Sequence, residues 1–152
     1  MLLTELLTAD RVRVPLGSRT KNDVLRELVE LAASSRDAGA VESMLAAVRD
    51  REQVLSTGIG GGVAIPHGKT PQIEQLVLAA GVAPRAIDFD ALDGQPVQLF
   101  FLLVGPESAS GAHVKVLSRI SRLLRRDRLR SELIAAQTSD EFLDVIRRSE
   151  VA

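Results

Sequence analysis

Two apolar runs constrain this chain more than any other feature. Val97–Val104 (VQLFFLLV) and Gln75–Val82 (QLVLAAGV) are near-continuous runs of eight residues each. Runs of that length with β-branched and aromatic members read as strands buried inside a sheet. Such strands need cover, and helices must supply it. Asp93-Gly94, between the two runs, is a turn pair.

The flanking segments have the spacing of helices. Leu2–Leu7 reads as a short helix. Arg11-Val12-Arg13-Val14 alternates and then meets Pro15, which marks a short edge strand. Thr20 with Asp23 opens a helix whose apolar set Val24, Leu25, Leu28, Val29, Leu31, Ala32 runs to Ala33. A second helix is expected from Ala40 through Met44, Leu45 and Val48 to Arg51 or Glu52. Val63-Ala64-Ile65-Pro66 is a short apolar run halted by proline. In the last third, Val114, Leu117, Ile120 and Leu124 form a helical stripe. Leu129, Leu133 and Ile134 continue it after a break near Asp127. Thr138 with Glu141 is a capping box before Phe142, Leu143, Val145 and Ile146. The order of helices, strands, helices predicts an α/β, single-domain sandwich over residues 1–152, with a small mixed central sheet flanked by helices.

Composition removes several classes of function. With 45% hydrophobic and 26% charged residues the chain is an ordinary globular one. It has no cysteine, which excludes disulfides, thiol catalysis and cysteine-held metals. The net charge of −1 and the 3% aromatics argue against a nucleic-acid partner. The start meets Glu5 and Asp10 before any long apolar run, unlike a signal peptide, and no stretch reaches the length of a membrane span. A cytoplasmic protein without membrane insertion is expected.

The chain has two histidines, His67 and His113. Neutral imidazole is a good nucleophile near pH 7. His67 stands in Ile65-Pro66-His67-Gly68-Lys69, where rigid neighbours present the ring; an ordinary loop histidine is the plainer alternative. His113 follows Ser110-Gly111-Ala112 at a helix start. Unpaired N–H groups there favour an anion and disfavour a protonated ring. A half-buried histidine beside a helix cap is again the plainer alternative. The two histidines lack metal-ligand spacing, and Asp88, Asp90 and Asp93 read as turn residues, so no metal is expected. No G-x-S-x-G elbow is present.

The glycine run suggests nucleotide binding and fails as such. A dinucleotide fingerprint would need glycine where Val63 stands, after a strand rather than a helix. Gly68-Lys69-Thr70 has the ending of a P-loop, but Pro71 and an apparent strand follow instead of a helix. No cofactor is expected. Lys115, Arg119, Arg122 and Arg126 are expected on one helical face, either as a dock for an acidic or phosphorylated partner or as a solvated face.

Taken together, Arg51-Glu52, Ser56-Thr57-Gly58-Ile59-Gly60, Gly62-Val63-Ala64-Ile65-Pro66-His67-Gly68 and Pro106-Glu107 with His113-Val114-x-x-Leu117 resemble one family. It is the mannitol/fructose-type enzyme IIA domain of the bacterial phosphoenolpyruvate phosphotransferase system. Gly68-Lys69 and Ile87–Asp93 look most like its nitrogen-regulatory branch. The resemblance implies a phosphoryl relay. A histidine phosphocarrier protein would phosphorylate His67. His113 would orient or stabilise the phosphoryl group, and Arg51 would neutralise its charge. The group would then pass to a IIB domain, or the phosphorylation state would signal to a regulated transporter or kinase. A regulatory module acting by contact alone is the alternative. Ile59 and Val63 flank the site and are candidate partner contacts. The run Gly60-Gly61-Gly62 is expected to loosen the loop before His67.

Overall fold

The computed structural model describes residues 2–34 and 38–151, the last by its backbone only. Met1 and Ala152, the ends of the expected domain, lie outside the described residues. The helices are α1 (Leu3–Leu6), α2 (Lys21–Ala33), α3 (Ala38–Val54), α4 (Ser110–Leu123), α5 (Asp127–Ala135) and α6 (Ser139–Val151). The strands are β1 (Val12–Arg13), β2 (Gly58–Gly60), β3 (Val63–Ala64), β4 (His67–Lys69), β5 (Val77–Ile87) and β6 (Val97–Gly105).

The strands form a mixed sheet in the order β1-β5-β6-β3-β2, with β4 also on β6. β5 and β6 are antiparallel, with Ala79 opposite Leu102. Along the other edge of β6, β3 and β4 follow one another in parallel, Val63 opposite Leu99 and His67 opposite Leu103. Pro66 breaks that edge because it has no N–H to donate, yet its carbonyl still accepts from Leu103 N at 3.0 Å.

Alternation along β6 divides the core. Phe100, Leu102 and Val104 face α2 and α3, with Val24, Leu28, Met44 and Val48. Leu99, Phe101 and Leu103 face the opposite helices, with Val116, Ile120, Leu133 and Phe142. The expected α/β sandwich with a mixed central sheet is therefore present.

Several expected details hold. Thr20 Oγ1 accepts from Asp23 N at 3.2 Å and caps α2. Asp93 closes its turn by accepting from Gln95 N at 3.0 Å. Thr138 Oγ1 accepts from Glu141 N, but the Glu141 carboxylate returns to Gln137 N, one residue earlier than a standard capping box.

Other details differ. α3 extends to Val54. β5 extends to Ile87 past a register shift after Val82, a continuation that Pro84 and the exposed Arg85 conceal in the sequence. The buried stripe of α4 is His113, Val116, Ile120 and Leu123, while Val114 is exposed. Arg126 does not share a helical face with Lys115, Arg119 and Arg122. α4 ends at Leu123, and Arg126 caps α5 with ψ 110°. Arg119 is already paired with Glu150 at 2.7 Å.

The glycine run is not loose. Gly60, Gly61 and Gly62 all have positive φ, at 99°, 66° and 77°. Only glycine adopts three such conformations in succession without strain. Gly61 N donates to Asp93 Oδ2 at 3.3 Å, so the tight β2–β3 connection is pinned to the Asp93 turn.

Candidate functional site

His67 lies on a strand, not in a loop. Its neighbour Gly68 points to the opposite face, where α3 passes close behind. The His67 ring therefore faces α4, and α4 brings His113 to it. The two rings meet edge to face with centroids 5.8 Å apart and planes at 63°.

The Ile65 carbonyl lies 2.9 Å from His67 Nδ1. A carbonyl only accepts, so Nδ1 carries the proton and Nε2 keeps its lone pair. Partial burial holds the His67 pKa below the ordinary histidine value; the Ile65 contact and Glu52 oppose this, and the charges of Arg51 and Lys69 add to it. His67 is thus neutral near pH 7, the form in which a nitrogen can attack.

His113 is only 2% exposed, and among the described residues neither ring nitrogen has a hydrogen-bond partner. Burial, followed by the neighbouring His67 and Lys69, pushes its pKa down to about 4. A buried imidazole with both nitrogens unmatched is costly, and a polar group arriving between the rings would satisfy it.

Arg51 reaches the site from the last turn of α3. One of its guanidinium nitrogens donates to the Leu55 carbonyl at 2.8 Å, which fixes the fork at the end of the helix. The adjacent Glu52 is buried and clamps this end of α3. Its carboxylate accepts from Thr57 N at 3.0 Å and from the Thr57 hydroxyl, and pairs with Lys21 Nζ at 3.0 Å. Lys21 also lies 4.6 Å from the centre of the Phe89 ring. α2, α3 and the start of β2 are thereby locked together around Arg51.

The two expected contact residues separate. Ile59 is 45% exposed beside the site, whereas Val63 is 1% exposed and packs into the core with Leu99. Val63 is thus corrected from surface contact to core residue: β3 pairs with β6 and buries it. Val54, Leu55 and Leu92 are exposed large apolar residues as well; the Leu92 N–H donates to the Gly58 carbonyl at 3.0 Å and holds that loop against β2.

Sequence reading missed Lys69 and Ser110 as site neighbours. Lys69 Nζ donates to Ser110 Oγ at 3.1 Å, tying β4 to the start of α4. The signal was the two-residue spacing from His67, which places both side chains on one face once a strand is assigned. Among the described residues, no group of three or more His, Asp or Glu is placed to hold a metal. No described helix is long and apolar enough to cross a membrane.

Comparison with known proteins gives the family and the fold. Residues 5–149 match the family model for the phosphoenolpyruvate-dependent sugar phosphotransferase system, EIIA 2. The chain is 37% identical over 148 residues to a nitrogen regulatory protein of Bradyrhizobium diazoefficiens, covering 96% of this chain and 95% of that one. It is 35% identical over 148 residues to the fructose-specific EIIABC component of Bacillus subtilis, covering 97% of this chain but 23% of that protein. The crystal structure of the nitrogen regulatory protein IIA-Ntr from Neisseria meningitidis superposes with a TM-score of 0.85 at 30% identity, covering 95% of this chain and 98% of that one. The chain belongs to the EIIA 2 family of the phosphoenolpyruvate-dependent sugar phosphotransferase system and is a phosphotransferase component of the phosphoryl-relay or nitrogen-regulatory kind.

Proposed function

We propose that His67 Nε2 is the atom that accepts the phosphoryl group, from a phosphohistidine on a small carrier protein in the cytoplasm. The observation that carries this reading is the Ile65 carbonyl on Nδ1, which leaves Nε2 unprotonated. In the transfer, the Nε2 lone pair forms an N–P bond. The donor's P–N bond breaks, and its electron pair returns to the donor nitrogen. Positive charge develops on the His67 ring and is met at Nδ1–H by the Ile65 carbonyl. Such a step asks the protein mainly for alignment and charge neutralisation.

His113 and Arg51 supply these. His113, neutral and unpartnered, donates one hydrogen bond to a phosphoryl oxygen. Arg51 offers a planar fork suited to two oxygens. The step needs no metal, because the group moves between nitrogen nucleophiles of similar strength. The carrier docks on the apolar rim of Ile59, Val54, Leu55 and Leu92, with the Arg51 charge at its edge.

Two destinations remain for the group. Transfer to a IIB domain fits the Bacillus relative, whose name joins EIIA to further parts. The 37% identity to the Bradyrhizobium nitrogen regulatory protein fits the second destination, in which the phosphorylation state controls a transporter or kinase by contact.

Intact-mass spectrometry after incubation with phosphoenolpyruvate, enzyme I and a histidine phosphocarrier tests the acceptor. A gain of one acid-labile phosphoryl group, absent in His67→Ala, is expected. Equal labelling of that variant would refute the assignment.

A further inference from the structure

One charge at the site has no role in the relay just described. Lys69 leaves the same face of β4 as His67, two residues on. Its ammonium is held 3.1 Å from the Ser110 hydroxyl, which itself donates to the Glu107 carbonyl at 2.7 Å. Ser110 opens α4, and His113 follows within the same turn. Among the described residues, no carboxylate lies within ion-pair distance of Lys69 Nζ.

A half-buried ammonium is therefore kept beside two neutral imidazoles, donating to a hydroxyl. Its charge works against protonation of both rings. A cation in such a place is poorly compensated until an anion arrives. A further feature aims an anion there. The His113 ring, almost wholly buried in the first turn of α4, has both nitrogens unmatched.

We propose that Lys69 is a direct ligand of the phosphoryl group carried on His67, resting on Ser110 in the unphosphorylated protein and moving to a phosphoryl oxygen when the group arrives. This rests on the acceptor role of His67. Lys69 then does what Arg51 cannot do alone. Arg51 approaches from the end of α3, whereas Lys69 approaches from β4 and the α4 side, so the phosphoryl oxygens are held by cations from separate elements. The flexible stem and compact charge of lysine suit a group that changes partner. Release of the Ser110 hydroxyl also makes the start of α4 sense whether His67 is phosphorylated.

The test compares wild type, Lys69→Met and Lys69→Arg, each phosphorylated from a labelled phosphocarrier. Single-turnover transfer is measured over a range of carrier concentrations, and the phosphoryl group is titrated by phosphorus NMR. Loss of one charge-assisted contact predicts about ten- to a hundredfold slower transfer in Lys69→Met at saturating carrier. The phosphoryl group should also protonate at higher pH, because a cation beside it is gone. Lys69→Arg should restore much of both. Lys69→Gln, which keeps an uncharged donor for Ser110, should resemble Lys69→Met and guards against a folding defect in the latter. Wild-type transfer with an unchanged phosphorus titration would overturn the proposal. So would slowing confined to KM with an unchanged titration, which would make Lys69 a docking residue. If wild type itself gains no phosphoryl group, the acceptor reading fails first and this one with it; a normally phosphorylated wild type isolates Lys69.

Discussion

Gly68 and Ala47 approach so closely that a Cβ on Gly68 would lie 2.8 Å from the Ala47 carbonyl carbon, with Val48 N at 2.9 Å. The obstacle is helix backbone, which cannot swing aside. This contact sets the distance between β4 and α3, and so between His67 and Arg51. Gly68→Ala should push β4 off α3, costing about 1–3 kcal/mol as overpacking does. Urea denaturation would show the loss. Transfer should fall more than stability alone explains, because the site geometry moves with the strand.

The same substitution should have opposite signs at two other glycines. Gly62→Ala meets open space, but its φ of 77° opposes any Cβ, so a loss of about 1–2 kcal/mol is expected. Gly111, in the first turn of α4, also faces open space and has no such backbone demand. Gly111→Ala should gain about 0.5 kcal/mol from reduced freedom of the unfolded chain. Equal effects in thermal melts would contradict this distinction.

His113 predicts a specific pH dependence. Its folded pKa of about 4 lies below the ordinary value of 6.5, so the unfolded state binds more protons between them. The stability linked to His113 is fully present above about pH 6.5 and is lost as pH falls toward 4. Glu150 and Glu27, both held below the usual glutamate range despite their burial, act in the same direction at lower pH. His113→Gln should flatten the upper part of this decline. Nitrogen NMR should find His113 unprotonated throughout pH 5.5–8.

Glu150 fastens the N-terminal helix to the C-terminal one. Its carboxylate, 1% exposed, accepts from Leu3 N at 2.7 Å and Thr4 N at 3.1 Å, and pairs with Arg119 at 2.7 Å. Glu150→Ala leaves Arg119 and two helix-start donors unmatched. A loss of about 3 kcal/mol is expected, as for other broken buried pairs. Amide exchange at the start of α1 should quicken. A loss under about 1 kcal/mol would show that water replaces the carboxylate readily.

What could be read from the sequence follows from how local each signal is. The Thr20 cap, the Asp93 turn and the apolar runs of β5 and β6 depend on neighbours in the chain, and all were visible there. Val63 was misplaced because four apolar residues in a row do not say which face is covered; pairing with β6 decides that. β4 was missed because His-Gly-Lys has no apolar member, and its partners Leu103–Gly105 lie over thirty residues away. The two histidines were evident from rarity and motif. Lys69, Ser110 and the Lys21–Glu52–Thr57 clamp were not, since each joins elements that only the folded sheet brings together.

The central claim is that the phosphoryl group sits on Nε2 of His67. Nitrogen NMR of histidine-labelled protein, before and after phosphorylation by the carrier, tests it most directly. The account predicts a large change at His67 Nε2, with Nδ1 retaining its proton on Ile65 and His113 remaining unphosphorylated. Phosphorylation at Nδ1, or at His113, would contradict it.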